Sequence, residues 1–134
     1  MSELSTADRL AIGEILSRYC HCIDRGRWEE FVTLFTPDCR LDLSQVLGSY
    51  EGEAGIRQFC DVIRSTGITM RHLVTNLVVR GDGARAQVES YVLAITGSPG
   101  KTQQSTGFYD DELVQRDGRW YLHRRRLTLD VPAQ

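Results

Sequence analysis

The chain has 134 residues, 16 basic against 18 acidic, for a formal charge of -2. That length suits a single domain, residues 1–134, whose hydrophobic core needs neither disulfides nor a structural metal. The near-balanced charge gives no electrostatic footprint for nucleic acid or an anionic membrane, and no apolar run is long enough for a membrane-spanning helix.

Ser5 followed three positions later by Asp8 predicts a capping-box start. The helix that follows should run to about Asp24, because Ile12, Ile15, Leu16, Tyr19 and Ile23 recur at three- and four-residue spacing. Within it, Cys20-His21-Cys22 invites a metal reading that geometry opposes: helical residues two apart point about 200° away from each other. No metal site is expected. Cys20, Cys22, Cys39 and Cys60 follow an opening, MSELSTADRL, without a basic n-region or an apolar h-region, so reduced thiols in the cytoplasm are expected.

Arg25-Gly26 ends this helix, and a second short helix is predicted from Trp28 to Phe35, stopped by Thr36-Pro37-Asp38. Arg40 to Val46 alternates and reads as a strand, with a loop over Leu47 to Glu53 and a third helix over Ala54 to Arg64. The remainder divides into four long strands, 70–80, 84–96, 102–116 and 119–129, separated by short Gly-rich turns that predict an antiparallel meander. Strands this long in a small domain must curl. The expected fold class is therefore α+β, a cone-shaped curved antiparallel sheet whose concave side is closed by N-terminal helices around an internal cavity.

The stretch 70–80, MRHLVTNLVVR, is apolar at both parities and predicts a strand buried on both faces. One face carries His72 and Asn76, groups costly to bury unpaired, so His72 needs a partner. Asp24, at the end of the first helix, is the best candidate. In Arg124-Arg125-Arg126 the middle residue faces opposite to its neighbours, and the run reads as a solvated edge, with one arginine a candidate to close the pocket.

Three segments, YCHCIDRGRWEEFVTLFTPDCRLDL, RHLVTNLVV and GFYDDELVQRDGRWYLHRR, resemble the SnoaL-like branch of the nuclear-transport-factor-2-like superfamily, which includes dehydratases and a dehydrochlorinase. The resemblance implies a cone-shaped α+β barrel, dimeric or higher, with no metal or organic cofactor. It also implies that Asp24 in IDRGRW and His72 in RHLVTN form a proton-transfer dyad, with Tyr19 lining the pocket. A second histidine of some members would fall near Gln104 or Thr106, neither of which transfers a proton at neutral pH.

An aspartate accepting from one imidazole nitrogen would fix the tautomer and leave the other nitrogen as a base. Tyr19, Tyr50, Tyr109 and Asn76 are the candidate donors to a developing oxyanion, and Gln104 joins them as a candidate substrate contact. The expected function is a lyase or isomerase of the dehydratase type acting on a small, mostly apolar hydroxy- or oxo-compound, such as a polyketide or steroid-like intermediate. An intramolecular cyclase with the same dyad, or a ligand-binding or structural oxygenase-subunit-like domain, is the alternative.

Overall fold

Two hydrogen bonds exchanged between Ser5 and Asp8, at 3.0 and 3.1 Å, start helix α1 (Thr6–Arg25) in the computed structural model, which describes residues 3–131. Met1 and Ser2, part of the stretch read for targeting, lie outside the described residues. The other Asp8 oxygen accepts from the indole N–H of Trp120 at 3.1 Å, which ties the start of α1 to the last strand. Gly26 ends the helix at φ +68°, in the left-handed region where a side chain is disfavoured. No helix of the described residues is long and apolar enough to cross a membrane.

Helix α2 (Trp28–Thr33) stops before Phe35, because strand β1 (Phe35–Asp42) begins earlier than the alternation at Arg40 suggests. Pro37 is tolerated inside β1 because the ladder to its neighbour is interrupted between Phe35 and Arg40, so no amide is required of it there. The predicted continuation to Val46 is instead a helical turn, α3 (Ser44–Leu47), and the predicted loop contains β2 (Ser49–Glu51). Helix α4 (Gly52–Thr66) follows, then four long strands: β3 (Thr69–Gly81), β4 (Arg85–Ser98), β5 (Lys101–Arg116) and β6 (Arg119–Val131).

The sheet order is β2-β1-β6-β5-β4-β3, antiparallel throughout except that β1 runs parallel to β6. The fold is thus α+β with a curved sheet, as expected, but the sheet is mixed and does not close into a barrel. The core lies between its concave face and the helices, centred on Ile12, Leu16, Phe31, Leu41, Ile56, Leu113 and Leu122.

Two expectations are corrected by this order. The outward residues of β3 lie on the convex face and are not buried: Leu73 is 44% and Val78 55% exposed. Strand β6 is interior to the sheet, not an edge, and Arg125 faces its concave side opposite Asp111, where it is completely buried while Arg124 and Arg126 are exposed. On the convex face Leu73 is joined by Tyr91 and Phe108, cross-strand partners whose rings meet edge to face at 5.6 Å.

The four cysteines are free and buried. Burial pushes the thiols of Cys20, Cys39 and Cys60 up to about 11 and that of Cys22 to about 12. An unfolded chain releases these protons from about pH 8.5, whereas the folded one retains them. The folded state therefore binds more protons above that pH, and stability falls as pH rises from about 8.5 toward 11. Urea midpoints measured at intervals over this range should decline steadily. A flat profile above pH 9 would show that the thiols are not held protonated by the fold.

Candidate active site

Helix α1 delivers its last turn to the concave side of β3, and there Asp24 meets His72. The Asp24 Oδ1 lies 2.6 Å from His72 Nδ1, and Asp24 Oδ2 accepts from the His72 backbone N–H at 2.7 Å. Both carboxylate oxygens are thus committed to one residue, and the imidazole is fixed in rotation as well as in position. The side chains are 6% and 14% exposed, respectively. With Nδ1 donating to an aspartate, the neutral ring presents Nε2 as an acceptor.

His72 borders a cavity of about 330 Å³ between the sheet and the helices. Its walls come from Tyr19 and Ile23 of α1, Leu43 and Leu47 around α3, and Phe59 and Ile63 of α4, with inward residues of the four long strands opposite them. Asp24 does not line the cavity; it stands behind the imidazole. Apart from His72, no ionisable side chain but the two tyrosines Tyr19 and Tyr109 borders this cavity among the described residues. Among them, too, no group of three or more His, Cys, Asp or Glu is placed to hold a metal ion; Cys20 and Cys22 are buried and His21 is exposed.

Tyr19 and Tyr109 form the deep end, with rings 5.9 Å apart. Burial pushes the Tyr19 hydroxyl up to about 12 and that of Tyr109 well above the usual phenol range, so both keep their protons at neutral pH and can donate. Behind them lies a buried ion pair that sequence reasoning missed. Arg125 donates through Nε and Nη2 to the two oxygens of Asp111, at 2.7 and 2.8 Å, with both side chains fully buried. Burial opposes charge on both, but a fork that uses both carboxylate oxygens requires the ionised form, and the carboxylate holds Arg125 firmly protonated. The guanidinium carbon is 3.6 Å from the Tyr109 ring centroid and 4.2 Å from that of Tyr19, close enough for cation–π attraction to both. Among the described residues, its Nη1 has no hydrogen-bond partner.

The remaining expected contacts fall elsewhere. Tyr50 donates its hydroxyl to the Leu47 carbonyl at 3.0 Å and packs edge to face on Phe59, outside the cavity lining. Asn76 is exposed at φ +58°, in a bulge where β3 sets two residues, Asn76 and Leu77, against Ser90 alone on β4. The extra residue shifts the alternation, and Asn76 leaves the face of His72 for a separate surface depression beside Tyr91 and Phe108. Gln104 pairs with Ile95, opposite in parity to the cavity residues Gln103 and Ser105, and is exposed on the convex side. Parity alone could have found this: Tyr109 and Gln104 are an odd number of residues apart on one strand.

A SnoaL-like domain family model matches residues 5–126. An uncharacterised protein of Mycobacterium tuberculosis strain H37Rv is 29% identical over 129 residues, spanning 93% of this chain and 87% of that protein. Among solved structures, a candidate scytalone dehydratase from Novosphingobium aromaticivorans superposes with a TM-score of 0.81 at 24% identity, covering 92% of this chain and 84% of that one. A hexachlorocyclohexane dehydrochlorinase of the LinA type 2 superposes with a TM-score of 0.84 at 18% identity, covering 92% and 86%. At these identities the two superpositions establish the fold.

Proposed function

Because the chain belongs to the SnoaL-like family, we propose that it is a cofactor-independent acid–base enzyme, a lyase or isomerase acting on a small uncharged hydroxy- or oxo-compound of the polyketide kind. The observation that carries this reading is the imidazole of His72, oriented by both oxygens of Asp24, with Nε2 free at an apolar cavity. In a water-poor site such a base removes a proton from carbon next to a carbonyl or a leaving group. The electron pair of the C–H bond moves into the adjacent bond, and Asp24 stabilises the imidazolium that results. Tyr19 and Tyr109, both protonated, are the donors available to the developing oxyanion. In an elimination the C–O bond then breaks, and the departing oxygen takes the proton from His72 and leaves as water. In an isomerisation the same proton returns to a different carbon.

The test is a panel of uncharged cyclic ketones and β-hydroxyketones incubated with the protein in D2O and followed by proton NMR. The expected result is α-proton exchange or loss of water on at least one member, absent with His72→Ala. Equal rates with parent and variant, or no turnover across the panel, would overturn the reading.

The convex face supports a second copy of the chain as partner. Leu73, Tyr91 and Phe108 make an exposed apolar strip on a sheet surface, the kind of patch that marks an association site. Sedimentation of the parent should give a dimer or larger species, and Tyr91→Lys with Phe108→Glu should give a monomer that keeps its cavity. A parent that sediments as a monomer at micromolar concentration would refute this.

A further inference from the structure

The register of the sheet gives the cavity a ruler. His72 on β3 pairs with Ala94 on β4, and Ala94 pairs with Ser105 on β5, so the three form one inward row across the strands. The next inward row is Met70, Thr96 and Gln103. Strands lie about 4.8 Å apart, which puts Ser105 roughly 10 Å across the sheet from His72 and Gln103 a little farther. The residue between base and serine is the smallest in the lining, so the middle of the row is open space with an apolar floor. Among the described residues, no side-chain hydrogen bond occupies the groups of Thr96, Gln103 or Ser105. A cavity of about 150 Å³ accepts benzene, and this one is about 330 Å³, room for roughly two fused rings. Among the described residues, the only charge that faces an occupant is one His72 would itself acquire, since Arg125 is already paired with Asp111.

We propose that the substrate is an uncharged molecule of about two fused rings lying across β3, β4 and β5 over Ala94, its reacting C–H at His72 and a second oxygen, hydroxyl or carbonyl, held at the far end by Ser105 and Gln103. The position of the reacting end rests on the acid–base reading; the position of the distal oxygen does not. Substrates carrying a carboxylate or phosphate at the distal end are excluded, because no cationic side chain among the described residues lines that end of the cavity. Ser105 and Gln103 are then specificity-determining residues, and Ala94 sets the permitted width.

The experiment is binding of four probes by fluorescence titration: phenol, with one ring, 2-naphthol, with two rings and one oxygen, 2,6-dihydroxynaphthalene, with oxygens at opposite ends, and 6-hydroxy-2-naphthoate. The parent should bind the diol about fivefold or more tighter than 2-naphthol, the effect of one added hydrogen bond. Ser105→Ala with Gln103→Met should abolish that preference, bringing the affinities for the diol and 2-naphthol together. Ala94→Leu should exclude both naphthols while still binding phenol. The naphthoate should bind weakest to all forms. A diol preference that survives in the double variant, an Ala94→Leu protein that binds naphthols normally, or a naphthoate bound as tightly as the diol would each overturn the proposal. These titrations involve no proton transfer, so their failure is distinct from a failure of the exchange assay.

Discussion

Replacing His72 with alanine is expected to lower turnover by about a thousandfold, the usual contribution of a positioned general base, with little change in KM. The fold should survive, because the backbone N–H of residue 72 still reaches Asp24 Oδ2 and the lost ring only enlarges a cavity already present. Asp24→Asn should cost a similar factor by another route. One of the carboxylate oxygens becomes an amide nitrogen, so either the backbone N–H or Nδ1 of His72 faces a donor. If Nδ1 gives way, its proton moves to Nε2 and the base is lost. The two residues act as a unit, so the double variant should be no slower than either single one by more than a few fold. Steady-state kinetics on whichever ketone exchanges in D2O decides the matter. Multiplicative losses in the double variant would mean that the two groups serve separate steps.

The second large effect is on stability. Arg125→Met leaves the Asp111 carboxylate buried without its partner, and breaking a buried pair from one side costs about 3–5 kcal/mol. For a chain of this size that is a fall of roughly 10–15 °C in Tm. The paired change, Arg125→Met with Asp111→Leu, should recover most of the loss, since a buried ion pair is often no more stabilising than an apolar pair of similar shape. Urea denaturation of the two single variants and the double variant gives the coupling directly. Should Arg125→Met cost no more than a surface substitution, the pair is not as dry as its geometry implies. The double variant carries a further expectation: without the guanidinium against their rings, Tyr19 and Tyr109 lose a fixed neighbour, and turnover should fall even where stability returns.

The parts of this fold that were legible in the sequence are those governed by local chemistry. Ser5 and Asp8 announce the first helix, Gly26 its end, and the Gly-rich links the hairpins between β3 and β6. What escaped is what pairing partners decide. Pro37 reads as a stop and sits in a strand because the ladder skips it; nothing local to Thr36-Pro37-Asp38 announces that β6 will lie alongside. Arg125 reads as solvated because burial of a guanidinium depends on Asp111, which is brought opposite it only by the β5–β6 register. Asn76 shares the parity of His72, and only the bulge at residues 76 and 77 separates them. Asp24 and His72 were legible as a pair because each is poorly satisfied alone, one at a helix end and one on an otherwise apolar strand.

The parallel pairing of β1 with β6 has a consequence for synthesis. A nascent chain exposes Phe35–Asp42 about eighty residues before its neighbour Arg119–Val131 has been translated, an interval of roughly 4–16 s at ordinary elongation rates. Throughout that time Arg40, Leu41 and Asp42 have β2 beside them and an unfilled edge on the other flank. The chamber walls supplied by Leu127 and Leu129 arrive last. The lining of this cavity is therefore complete only after Leu129 has emerged, and a product truncated before Leu122 should precipitate by edge-to-edge association rather than persist as a monomer.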